Sequence, residues 1–286
     1  MTPAQETAAV VALLTNPGRP GHRYADAIEE RGSAIALLEE EHGLLAHDAL
    51  DDTGAQIAIW QRLGIRMLSV LDDDYPENLR TVYDRPPLVF VGGSLEPQDA
   101  RSVAVVGTRR PSREGLARAR LIAGHLSSTG FTVISGLAAG IDTEAHTASL
   151  RAGGRTVAVI GTGLRRCYPP QNSALQRRLA QGGDGAVVSQ FWPDSAPTAT
   201  SFLTRNATMS GLAMGTVVVE ASHTSGARAQ ARLALEHGRP VFLPEALLAE
   251  AWAREFADRP GAHVVQDPAE ITAAIERLNS PGALVP

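Results

Sequence analysis

The stretch SVAVVGTRRPSREG, Ser102 to Gly115, decides how the rest of the chain is read. Val103–Val106 is a short uninterrupted apolar run, the pattern of a strand buried on both faces of a parallel sheet. Gly107 ends it where a dinucleotide-binding fold opens its phosphate loop. A nicotinamide or flavin loop continues G-x-G-x-x-G, so that the pyrophosphate lies against bare backbone. Here Thr108, Arg109 and Arg110 follow instead. The loop offers guanidinium groups in place of glycines.

Outward from this strand, strand and helix alternate. The expected strands are Val103–Val106, Thr132–Ile134, Val157–Ile160, Ala186–Ser189, Thr216–Val219, Val241–Leu243 and His263–Val265. Helical patterns fall between them, at Glu114–Ser128, Thr143–Arg151 and Ser225–His237. This alternation predicts the α/β class: a Rossmann-like, doubly wound, mostly parallel sheet. Such sheets bind ligands beyond the carboxyl ends of their strands. In order, those ends carry GTRRPS (Gly107–Ser112), SGLAAGIDTEAH (Ser135–His146), GTGLRRCYPPQN (Gly161–Asn172) and EASHTSG (Glu220–Gly226). Glycines allow close backbone approach, and amides at helix starts attract anions. The hydroxyls of Ser135, Thr162 and Ser225 add donors. A phosphate-binding groove along one sheet edge is the expectation.

Charge supports it. Of 286 residues, 26 are basic, and every one is arginine. Residues 1–100 hold 7 Arg against 17 Asp and Glu, whereas residues 101–240 hold 16 Arg against 7 acids. A strongly basic module therefore lies inside a chain of net charge −5. Codon preference explains arginine in place of lysine but not this concentration, which points to a phosphate-rich partner. No apolar run approaches the ~18–20 residues of a membrane helix. The N-terminus lacks a secretory pattern, and the single Cys167 excludes an internal disulfide and a cysteine-based metal site. A cytoplasmic protein is expected.

Residues 1–58 show helical spacing broken by the turn-rich TNPGRPGH, and form an expected small helical domain. It reads either as a SAM-like or helix-hairpin-helix-like module or as an acidic docking domain that touches no nucleic acid. Residues 59–286 form the expected main domain, with strands at IRMLSV and PLVFVGG and an acidic strand–helix segment over 245–286. Phe202, Leu203 and Met209 fall at helical spacing and fit ordinary packing. Phe202 also shares a helix face with Arg205 and Asn206, so the three could stack a base, neutralise a phosphate and read a base edge. Asp142, Glu144 and His146 could pose as acid–base groups. A cap from Asp142 or Thr143 on the following helix, and a hydrogen-bonded core role for His146, are the simpler readings. No zinc constellation and no nucleophile–base pair stand out. Binding is expected, with no catalytic residue, metal or cofactor.

These segments resemble the DprA/Smf family of single-stranded-DNA-binding proteins, over roughly residues 60–244. SGLAAGIDTEAH is close to the family's S-G-x-A-x-G-I-D-x-x-A-H. GTRRPSREG is similar to G-S-R-x-x-S-x-Y-G, GTGLRRCYPPQN to G-x-G-x-D-x-x-Y-P-x-x-N, and FLTRNATMSGL to F-P-x-R-N-R-I-I-A-G-L. VVVEASHTSG followed by HGRPVF, and the upstream YPENL with RPPLVFVGG, extend the match. The resemblance implies an extended Rossmann fold that binds single-stranded DNA without turnover. It also implies a cytoplasmic homodimer that protects incoming strands and loads the RecA recombinase in transformation and recombination. By motif position, Arg109 and Arg205 hold phosphates, Phe202 stacks a base, and Gly107, Thr108, Ser135, Gly136, Ser225 and Gly226 line the groove. Arg110, Gly140, Gly161, Gly163 and Asn206 complete the expected contacts.

The sequence also departs from the family. Thr108 stands for serine, Glu114 for tyrosine, Gln190 for the glutamate of S-E-x-P and Ala207 for the second arginine of R-N-R. Leu243-Pro244-Glu245 occupies the place of V-P-G, and the chain ends without the winged helix many members carry. Losing one groove arginine is expected to weaken phosphate binding. The alternative reading is a nucleotide sensor or a LOG-type phosphoribohydrolase of the same superfamily. Against it, VVVEASHTSG lacks their P-G-G-x-G-T-x-x-E loop.

Overall fold

A computed structural model describes residues 2–15 and 17–278. The chain opens with four helices, α1 (Pro3–Thr15), α2 (Gly21–Arg31), α3 (Ala34–His42) and α4 (Ala46–Arg62). Strand β1 (Ile65–Ser69), the short α5 (Glu77–Arg80) and β2 (Leu88–Gly93) follow. Then come β3 (Ser102–Val106), α6 (Arg113–Ser128), β4 (Thr132–Ser135), α7 (Ile141–Arg151), β5 (Thr156–Val159), α8 (Ser173–Gln181) and β6 (Gly185–Ser189). The last elements are α9 (Ala199–Leu212), β7 (Thr216–Val218), α10 (Gly226–Glu236), β8 (Val241–Pro244), α11 (Ala251–Ala257), β9 (Ala262–Val265) and α12 (Pro268–Leu278).

The strands form one sheet in the order β1-β2-β6-β5-β4-β3-β7-β8-β9. From β6 to β9 every neighbouring pair is parallel, and β2 joins β6 antiparallel through Phe90 opposite Ser189. The fold is thus the expected Rossmann-like α/β fold with a mostly parallel sheet. Alternation divides the strand residues between two layers. Val103, Val105 and Val133 pack with α6, α7 and α12, while Ala104, Val106 and Ile134 join the core beneath α9 and α10. Leu179 of α8 packs on Ala158 and Val187.

The second of these cores runs on into the N-terminal helices through Leu88, Phe90 and Trp60. Polar contacts reinforce the join: Arg85 bonds Asp26 at 2.8 Å and also pairs with Glu29, which in turn meets Arg80 at 3.1 Å. Part of the acidic charge of the N-terminal helices is neutralised there. The expected segment 245–286 resolves into α11, β9 and α12 over its described part, and residues 279–286 lie outside the described residues.

Two details position the site. Strand order runs away from β3 in both directions, through β4, β5 and β6 on one side and β7, β8 and β9 on the other. The gap between β3 and β7 is therefore the topological switch point, where neighbouring loops diverge and leave a crevice. The expected caps on α7 are corrected. Its first turn is preceded by Gly140 with no side-chain cap, Thr143 donates to the Ala138 carbonyl at 2.7 Å, and Asp142 faces the loop before the helix.

Candidate functional site

The crevice at the switch point has a volume of about 400 Å³. The β3 end supplies Gly107, Thr108, Arg109 and Arg110, the β7 end supplies Ser225 and Gly226, and α9 supplies Phe202, Arg205 and Asn206. Nine of the fourteen residues expected from the sequence thus line one groove. Of the others, Gly136, Gly140 and Gly161 lie against its lining residues, and Ser135 and Gly163 face elsewhere.

The outer layer of the groove is cationic and aromatic. Arg109 and Arg110 are exposed, and the Arg109 guanidinium sits 5.3 Å from the centre of the half-buried Phe202 ring. Tyr168, 42% exposed, approaches the same ring at 5.5 Å with a 44° tilt. Gly161 makes this possible, since a Cβ there would fall 2.6 Å from the Phe202 ring. The result is a small aromatic shelf beside a positive charge, an arrangement that suits a stacked base next to a phosphate.

The loop bearing Arg109 is held from below. Its Thr108 amide donates to the Glu220 carbonyl at 2.7 Å, and Ser112 donates to the Glu220 carboxylate through both its amide (2.9 Å) and its hydroxyl (2.6 Å). Ser112 also caps α6 by accepting from the Gly115 amide at 2.9 Å. On the far side, Gly140 adopts φ +83°, and its missing side chain leaves room for the Thr108 carbonyl, 2.5 Å from where a Cβ would stand. A non-glycine residue there would meet both backbone strain and a clash. At the β7 end, the Ser225 hydroxyl oxygen accepts from the Ala227 amide at 3.2 Å, capping α10. Its own proton remains free to donate to an anion at that helix start.

The inner layer is different. Arg205 is only 6% exposed, and its guanidinium donates to the carbonyls of Gly136 and Val159, both at 2.6 Å. The same Gly136 donates its amide to Asp142 at 3.1 Å, joined by the Ala138 amide at 3.3 Å. The backbone of one residue, Gly136, therefore meets a buried guanidinium through its carbonyl and a buried carboxyl through its amide. Burial pushes the Asp142 carboxyl up, and the Arg205 charge with the two amides draws it back. Burial lowers Arg205, and Asp142 opposes that. Each charge thus partly offsets the cost of burying the other. His146 lies nearby, wholly buried, with Nδ1 2.7 Å from the Thr156 hydroxyl. Burial first, and the Arg205 charge second, lower its pKa to about 3, so the ring is neutral.

Three expected contacts are accordingly committed to groups of the protein itself. Arg205 is committed to backbone carbonyls below the groove, and the buried Ser135 hydroxyl donates to the Val105 carbonyl at 2.7 Å. Gly163 turns toward Ser195, whose carbonyl accepts its amide at 3.0 Å. Tyr168 and Glu220 were not among the expected site residues. Tyr168 stands in the Pro-rich GTGLRRCYPPQN, where the aromatic beside two arginines was the available signal. Glu220 precedes the EASHTSG glycine and gave no signal of its clamping role. Among the described residues, no cluster of three or more His, Cys, Asp or Glu side chains could hold a metal ion, and no helix is long and apolar enough to cross a membrane.

The comparisons agree with this architecture. The family model for DNA recombination-mediator protein A matches residues 66–278. The chain is 41% identical over 181 residues to the DNA processing protein DprA of Streptococcus pneumoniae, a stretch covering 63% of each protein. The X-ray structure of DprA from Streptococcus pneumoniae superposes with a TM-score of 0.75 at 29% identity, covering 96% of this chain and 98% of that one. DprA from Helicobacter pylori, described for its single-stranded-DNA binding mode, superposes with a TM-score of 0.64 at 25% identity over 74% of this chain and 95% of that one.

Proposed function

The chain belongs to the DNA recombination-mediator protein A family, and from that premise we propose that its switch-point groove binds single-stranded DNA without turning it over. The observation that carries this reading is the convergence of exposed Arg109 on the Phe202 ring at the mouth of the crevice between β3 and β7. In this reading Arg109 and Arg110 neutralise phosphates, and the start of α10 adds its amides and the Ser225 proton. Phe202, with Tyr168 beside it, stacks a base. The Helicobacter pylori relative, described as binding single-stranded DNA, supports the same assignment. Arg205, Asp142 and Gly136 act beneath as a scaffold that fixes the loop backbone.

The proposal extends to a cytoplasmic homodimer that protects strands and delivers them to the RecA recombinase. Its support is the family resemblance together with the open edge of β9, where Val264 is an exposed apolar side chain.

Fluorescence anisotropy with single-stranded DNA, duplex DNA and a mononucleotide tests the central claim. Single strands should bind best, with affinity falling on a log–log salt slope of about −0.7 per neutralised phosphate. No nucleotide or strand hydrolysis should accompany binding. Tight mononucleotide binding without DNA binding, or an affinity indifferent to salt, refutes it.

A further inference from the structure

Beyond the groove, on the other flank of α9, lies a larger cavity of about 540 Å³. It is bounded by the start of α2, the residues leading into β2, the turn after β6, and the outer faces of α9 and α10. Leu203, 55% exposed, lines both the cavity and the groove. Helix α10 likewise divides its residues between them, with Ala227 and Gln230 facing the groove and Ala229 and Arg232 the cavity. The two spaces are neighbours across one helix pair.

The chemistry of the cavity is specific. One wall is aromatic: Trp192 stacks on Trp60 with ring centres 5.7 Å apart and 24° between planes, and Phe90 lies 5.7 Å from Trp192. Gln190 adds a polar group. Its Oε1 accepts from the Thr208 hydroxyl, which leaves the amide hydrogens to donate to a ligand. Arg232, its side chain 58% exposed and paired with Glu236 at 3.0 Å, and the acid Asp84 also line the cavity. Gln190 and Ala207, two of the positions at which the sequence departs from the family pattern, both line this cavity. Where the pattern has an acid and an arginine, the cavity has a neutral amide and a methyl group. The change removes charge from its wall and leaves space beside α9.

We propose that this cavity receives one unstacked nucleobase of the strand whose backbone lies in the groove. A base is flat, neutral and apolar on its faces, with hydrogen-bonding edges. That matches an aromatic wall with one amide donor. The inference rests on the DNA-binding reading of the groove.

Tryptophan emission of the full chain provides the test, titrated with a 12-residue oligothymidylate and with an abasic oligomer of equal length. The oligothymidylate should quench emission; the abasic strand should bind the groove without quenching. Trp192→Phe should remove the quenching and retain binding. Ala207→Met, which fills the cavity, should also remove it and weaken oligothymidylate binding about 5- to 100-fold with the salt slope unchanged. Ala229→Met fills the cavity from α10 and decides the matter if Ala207→Met does not fold. Equal quenching by the abasic strand overturns the proposal, as does full binding and quenching by both filled variants. Quenching by thymidine monophosphate as strong as that by the strand overturns it too, by making the cavity a free-nucleotide site. Failure of the underlying groove reading looks different: the wild-type protein would then bind neither oligomer.

Discussion

Arg109 and Arg205 both read from the sequence as phosphate clamps, and a pair of alanine substitutions separates them. Arg205→Ala removes a 6% exposed guanidinium that satisfies the Gly136 and Val159 carbonyls and faces the buried Asp142. Each orphaned buried acceptor costs about 1–3 kcal/mol, and removing one partner of a buried charge pair about 3–5 kcal/mol. The costs overlap, so the expected loss is about 3–5 kcal/mol, which lowers Tm by on the order of 10 °C. Arg205→Ala/Asp142→Asn should be less destabilised than the sum of the two single variants, because the second change removes the stranded charge. Arg109→Ala touches an exposed side chain and should stay within about 0.5 kcal/mol of wild type. Its defect should appear in anisotropy, as weaker binding of all single strands and a salt slope shallower by about 0.7. Urea melts and salt titrations on the same preparations give both quantities. If Arg205→Ala melts within about 2 °C of wild type and loses DNA as Arg109→Ala does, the scaffold assignment is wrong.

Phe202→Ala should lower single-strand affinity by about 1–3 kcal/mol, as loss of one stacking platform does. Its melting shift should stay well below the ~3–5 kcal/mol of a buried Phe→Ala truncation; a full core-sized loss with unchanged affinity of the folded fraction would refute stacking. Glu220→Gln brings an amide NH₂ against the Ser112 donors and should cost about 1 kcal/mol of binding through a looser Arg109 loop. Faster amide exchange over residues 108–112 checks this, and unchanged exchange with unchanged affinity contradicts it. His146 titrates near 6.5 when unfolded and at about 3 when folded, so acidification protonates the unfolded chain first. Stability should fall from pH 6.5 toward pH 3 by up to ~1.4 kcal/mol per pH unit on its account. Asp142, whose pKa burial raises, works in the opposite direction as it takes up a proton. The difference between wild type and His146→Gln in urea melts at pH 7, 5 and 4 isolates the histidine, and parallel curves would exclude it.

The fold was legible where apolar runs and glycine-rich ends punctuate each other. Strands expected at Thr132–Ile134 and Val157–Ile160 form at Thr132–Ser135 and Thr156–Val159, and the helix expected from Glu114 begins at Arg113. Strand order was not legible. Leu88–Val91 is buried on both faces, as a central parallel strand would be, yet β2 joins β6 antiparallel. Periodicity reports burial, and burial does not carry direction. Helix α8 went unexpected because SALQRRLAQ anchors itself through Leu179 and Gln176 amid polar residues, too few apolar positions to set a period.

The site shows the same limit at the level of a single helix. Spacing correctly gathers Phe202, Arg205, Asn206 and Met209 on one face of α9, but it cannot say whether that face meets solvent or the sheet. Here it does both. Phe202, at the first turn, reaches the rim beside Arg109, whereas Arg205, Asn206 and Met209 turn under the strand ends and are buried. The glycines follow from that burial. Gly136 carries no side chain because one would fall 1.9 Å from the Arg205 guanidinium, and Gly140 because the Thr108 carbonyl occupies its place. Their presence is explained by packing of protein on protein, before any phosphate is considered. What remains for the ligand is the part packing does not need: the exposed guanidiniums of Arg109 and Arg110, the Phe202–Tyr168 shelf and the free proton of Ser225. The loop's two arginines therefore carry the charge a strand would meet, and its glycines hold them in place.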